Sequence, residues 1–123
     1  MRLLHDARLG GLAGFQVEGH ADFGEYGTDI VCAGISALAQ SALFGLQDRL
    51  GGAVSFEKRH GYLSVSLSGD RAYGEGPQAI LRTFELGVRA IERSYRGTVE
   101  VTEVAREDAC HGQAGPLRVS RRN

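Results

Sequence analysis

Four times along this chain of 123 residues the spacing of apolar side chains switches between two and about 3.6, and each switch falls at or beside glycine. Leu12 to Glu18 alternates, with Ala13, Phe15 and Val17 on one face, as a strand does. From Ile30 to Leu50 the period lengthens, and Val31, Ile35, Leu38, Ala42, Leu46 and Leu50 line one side of a helix. Gly51-Gly52 ends that helix, and Ala53–His60 and Tyr62–Ser68 read as a hairpin turning at Gly61. In its second strand Leu63, Val65 and Leu67 point one way, and Ser64, Ser66 and Ser68 the other. After a loop from Gly69 to Gly76, Pro77 suits the first turn of a second helix, which Gly97 stops. Arg2–Arg8 before a Gly10-Gly11 turn, and Thr98–Val104, supply the first and last strands.

The order is therefore β-β-α-β-β-α-β. It predicts one α+β domain over residues 1–104, with two helices packed on a mainly antiparallel sheet. Residues 105–123 have no period and read as a flexible tail. An open sheet face or edge needs a cover, and a homodimer is a simple way to provide one.

Charge narrows the partners. Fourteen Lys and Arg against 15 Asp and Glu leave a net charge of −1, too little field to hold nucleic acid or an anionic membrane. Of the four arginines in the tail, Arg118, Arg121 and Arg122 read as solvated rather than as contacts for RNA. The apolar region from Ile30 to Leu46 is broken by Gly34, Ser36, Gln40, Ser41 and Gly45, which argues against a membrane span. The N-terminal residues hold no apolar signal core, so the expectation is a cytoplasmic protein with both cysteines reduced.

Of those two cysteines, Cys32 has the more reactive setting. With Thr28 or Asp29 as N-cap, it stands in the first helical turn. Unpaired N–H groups and the positive end of the helix dipole favour an anion there, and the same groups suit an oxyanion. His20 precedes it by 12 positions across a glycine-rich loop that can fold back. Thiolate and imidazole are the minimum for nucleophilic attack on an amide. Asp29 either orients the histidine or only caps the helix, and Ser36 lies on the same helical face as Cys32. The residues by themselves leave other readings open: a buried structural cysteine in a non-catalytic homodimeric binding module, or a thiol redox sensor. Cys110-His111 cannot easily assemble a metal site, and the glycines of 69–76 lack the lysine of a phosphate-binding loop. No metal and no cofactor is expected.

Gly19-His20-Ala21, followed by Gly27-Thr28-Asp29-Ile30-Val31-Cys32-Ala33 with Ser36 and Leu38, resembles the ribosomal-processing cysteine protease family, Prp. The likeness extends over about residues 1–104. It implies a small, homodimeric bacterial protease that removes an N-terminal extension from large-subunit ribosomal protein twenty-seven. Its partner would be that precursor, with nucleic acid met only through the ribosome. Cys32 matches the family's nucleophile, His20 its base, Asp29 the aspartate three before the cysteine and Ser36 the serine four after it. On this reading the loop is a cover that closes on substrate, with Gly24 and Gly27 as hinges and Phe23 and Tyr26 packing over the peptide. Gly34 stands where the family more often has alanine, a loss of up to ~1 kcal/mol of helix propensity.

Overall fold

A computed structural model describes residues 1–6, 10–18 and 28–106, without the side chains of Thr28 and Asp29. Its elements are β1 (Arg2–Asp6), β2 (Leu12–Glu18), α1 (Thr28–Leu50), β3 (Val54–Arg59), β4 (Tyr62–Leu67), α2 (Glu75–Ser94) and β5 (Thr102–Arg106). The strands form one sheet in the order β3-β4-β2-β1-β5. The β1–β2, β2–β4 and β3–β4 pairings are antiparallel, and only β1–β5 is parallel. This is the α+β domain the periods predict.

Register explains the core. Leu3 lies opposite Phe15, and Phe15 opposite Val65, so the three point to one face of the sheet. Both helices pack on that face. Phe15 is fully buried, and its ring lies 4.2 Å from that of Phe84 in α2. Val31, Ile35, Ala39, Leu43 and Leu46 of α1 are buried as well. By length and composition the 30–53 region is apolar enough to cross a membrane, but this buried face gives it the role of a core helix.

Three features depart from the sequence reading. The other face of the sheet carries Gln16 and Ser64, which alternation marks as solvent-facing, yet both are buried. Gln16 accepts a hydrogen bond from Arg2 at 2.6 Å and donates one to the Tyr62 hydroxyl at 3.1 Å. The last strand starts at Thr102 rather than Thr98, because the preceding residues are otherwise engaged. Val101 gives its N–H to the Glu92 carboxylate, and the carbonyl of Glu100 accepts from the N-terminal ammonium. Strand β5 then runs through Ala105 and Arg106, two residues that alternation assigned to the tail.

The third concerns glycine. Several glycines mark close packing rather than turns. Gly14 lies in the middle of β2, where a Cβ would fall 2.1 Å from the Val65 carbonyl oxygen. Between the helices, Gly45 faces Ile80, Gly87 faces Leu38, Gly34 faces Ile91 and Gly76 faces Arg49. These pairs run in opposite directions along the two chains, so α1 and α2 are antiparallel and separated by a glycine-lined seam.

Candidate active site

Helix α1 begins at Thr28, so Thr28 and Asp29 stand inside its first turn and neither is the N-cap. Cys32 is consequently the fifth helical residue, one step into the second turn. Helical side chains lean toward the N-terminus, which carries the thiol back over the first turn. The N–H groups of that turn have no acceptor within the helix. A partly exposed thiol beside backbone donors at the positive end of a 23-residue helix can attack a carbonyl and have the resulting oxyanion stabilised.

The flank of α1 that bears Cys32 can be identified from its neighbours. Steps of four residues stay on one side of a helix, so Cys32, Ser36 and Gln40 share a flank. Gln40 donates through Nε2 to Ser36 Oγ at 3.3 Å, and its Oε1 accepts from Lys58 Nζ, also at 3.3 Å. Lys58 belongs to β3. The thiol therefore sits on the side of α1 next to the outermost strand, whereas Gly34, Leu38 and Gly45 occupy the side that meets α2. Val31 and Ile35, both buried, anchor the turn from below.

Ser36 is exposed, one turn from Cys32, and bonds to Gln40. Asp29 is in the first turn, but its side chain lies outside the described residues. So do His20, Phe23, Gly24, Tyr26 and Gly27, together with Cys110 and His111. Lys58 and Gln40 are additions that sequence reasoning missed. Gln40 carried a signal, since it follows Ser36 by four positions, but nothing in the local pattern ties Lys58 to the helix. Among the described residues no group of three or more His, Cys, Asp or Glu side chains converges to hold a metal.

Comparison with known proteins matches this arrangement to a family. Residues 4–100 fit the family described as cysteine protease Prp. The ribosomal processing cysteine protease Prp of Staphylococcus aureus (strain Mu50) is 34% identical over 91 residues, covering 69% of this chain and 80% of the relative. Its namesake from Bacillus subtilis (strain 168) is 29% identical over 113 residues, covering 83% and 92%. The crystal structure of S. aureus Prp with a covalently linked product peptide superposes with a TM-score of 0.69 at 25% identity, covering 84% of this chain and 96% of that one. A second S. aureus Prp structure, with a substrate peptide, shares the fold at the same TM-score and 23% identity. The match spans most of the chain, takes in α1 with Cys32 and reaches whole-domain similarity in three dimensions. This chain belongs to the cysteine protease Prp family.

Proposed function

We propose that the chain is a ribosomal-processing endopeptidase that removes the N-terminal extension of large-subunit ribosomal protein twenty-seven in the cytoplasm. The observation that carries the chemistry is the position of Cys32, partly exposed in the second turn of α1 beside the N–H groups of the first, which have no acceptor within the helix. The substrate rests on the ribosomal processing named for both bacterial relatives. In the first step Cys32 Sγ forms a bond to the scissile carbonyl carbon. The imidazolium of His20 then gives its proton to the departing amine as the C–N bond breaks, leaving a thioester. Neutral His20 next takes a proton from water, which attacks the thioester carbonyl. Cleavage of the C–S bond releases the carboxylate and returns the thiol. Asp29 orients His20 or stabilises the helix start. The loop bearing Phe23, Gly24, Tyr26 and Gly27 covers the peptide.

Incubation of the precursor with wild-type protein and with Cys32→Ala tests this reading. The wild type shortens the precursor at one N-terminal bond and the variant does not. Cleavage by Cys32→Ala at the wild-type rate overturns the role of the cysteine. Binding without cleavage by the wild type would favour a non-catalytic module.

We also propose that the functional unit is a homodimer joined through the outer face of its helices. Residues 30–47 contain no charged side chain, yet Ile30 is 65% and Phe44 61% exposed. The exposed stripe Ile30, Ala33, Ala37, Ser41, Phe44 has its large residues at equal distances from Ala37. Two copies crossing antiparallel at Ala37 would seat each Ile30 against the partner's Phe44, a self-complementary contact of the kind twofold dimers use. An apolar cleft between Leu38, Ala42, Ile80 and Phe84 extends the same surface.

A further inference from the structure

Strand β3 is one edge of the sheet, and all six of its residues are exposed or half-buried, with no described strand beyond them. We propose that the substrate peptide binds in extended form along this edge, as an added strand that carries the scissile bond to Cys32. This proposal rests on the reading of Cys32 as the nucleophile of an endopeptidase.

The hydrogen-bond pattern assigns which backbone groups are available. Ser68 N donates to Ala53 O at 3.0 Å, and the register pairs Val54 with Leu67 and Phe56 with Val65. In an antiparallel ladder, residues that exchange bonds with the partner strand alternate with residues whose N–H and C=O point away. Ala53 bonds inward, so Ser55, Glu57 and Arg59 do too. Val54, Phe56 and Lys58 then direct their backbone groups off the edge. A peptide of any sequence can pair with such a row, and alternate side chains supply the selectivity.

Side chains favour the same track. Phe56 and Lys58 share the sheet face on which α1 lies, because Phe56 is opposite Val65 and Lys58 opposite Leu63. Phe56 is 48% exposed, an apolar surface for an apolar substrate side chain. Lys58 is tied to Gln40 on the flank of α1 that holds Ser36 and Cys32. Cys32 stands eight residues before Gln40 in the sequence. At ~1.5 Å per helical residue that is about 12 Å along the axis. About four residues of extended peptide bridge the distance. An extended peptide that continues past Lys58 toward the start of α1 covers that axial distance. Charged Glu57, Lys58 and Arg59 oppose pairing of this edge with a second copy while leaving its backbone open.

Proline at position 58 tests the pairing, since it deletes an N–H that the β3–β4 ladder does not use and is tolerated at a sheet edge. The probe is a synthetic peptide spanning the processing junction of the ribosomal protein precursor. Lys58→Pro lowers kcat/KM for this peptide about tenfold, the scale of one lost hydrogen bond with its neighbours. Alkylation of Cys32 by iodoacetamide and the melting temperature stay as in the wild type. In parallel, wild-type protein is assayed on peptides N-methylated at one amide at a time. Cleavage falls at alternate positions and persists at those between. Wild-type kcat/KM in a folded Lys58→Pro variant, or N-methylation losses without alternation, overturns the edge-strand proposal. If the variant does not fold, the N-methylation series decides by itself. Cys32→Ala in the same assay reports separately on the nucleophile, so the failure of one reading is not mistaken for that of the other.

Discussion

The Tyr73 hydroxyl donates to Oδ2 of Asp6 at 2.7 Å, joining the short helical turn before α2 to the end of β1. Burial is the main reason the phenol is pushed up from 10.0 to about 12, and the bond to Asp6 and its negative charge add to it against the opposing charge of Arg106. The folded protein therefore keeps this proton in a range where the unfolded chain has lost it. Stability from the group is complete below pH ~10 and is lost as pH rises toward ~12. Urea unfolding midpoints measured across that window fall for the wild type. In Tyr73→Phe the fall is shallower, and at neutral pH the variant starts about 1–2 kcal/mol less stable because Asp6 has lost a donor.

Two glycines of the helix seam respond differently to replacement by alanine. At Gly34 a Cβ would lie 3.5 Å from Ile91 Cδ1, an ordinary contact, so Gly34→Ala gains helix propensity of about 0.5–1 kcal/mol. At Gly87 it would come within 3.0 Å of Leu38 Cδ1, and Leu38 must move. Thermal unfolding should show Gly34→Ala melting a few degrees above the wild type and Gly87→Ala showing no such gain.

That contrast marks the limit of what the sequence disclosed. Elements whose partners lie nearby were legible, and β2 from Leu12 to Glu18 and the hairpin around Gly61 appear where the alternation sets them. Properties set by distant contacts were not. A glycine that admits Leu38 from 49 positions away looks like any other helical glycine, and Gln16 looks exposed until Tyr62 and Arg2 close over it. The same holds at the site. The period put Cys32 near the start of α1, but its depth in the helix depended on Thr28 and Asp29 entering the first turn. That its flank faces an edge strand followed only from the bond between Gln40 and Lys58.

Arg106 closes the sheet at the end remote from Cys32. It is 5% exposed, donates to the Leu67 carbonyl at 2.7 Å and bonds to Ser66 Oγ, so a single residue of β5 bonds to β4. Arg106→Ala removes a charged donor from the buried Leu67 carbonyl and from Ser66 and should cost about 2–3 kcal/mol. Arg93→Ala, an exposed change near the end of α2, serves as the comparison and should shift stability by less than about 0.5 kcal/mol. Equal urea midpoints for the two variants would contradict the structural role of Arg106.

The dimer proposed above makes its sharpest demand at Ala37. A residue on a twofold axis meets its own copy, so one substitution introduces two like charges at the crossing point. Ala37 is exposed in the single chain, and Ala37→Glu should leave monomer stability within about 0.5 kcal/mol. In the assembled pair two carboxylates would face each other with no cation on residues 30–47 to answer them. Ile30 and Phe44, seven positions to either side, would be parted by the same repulsion. Sedimentation velocity over a range of concentrations should record a dimer for the wild type and a monomer for Ala37→Glu. A variant that remains dimeric would move the interface away from this face of α1, and a monomeric wild type would remove the need for one.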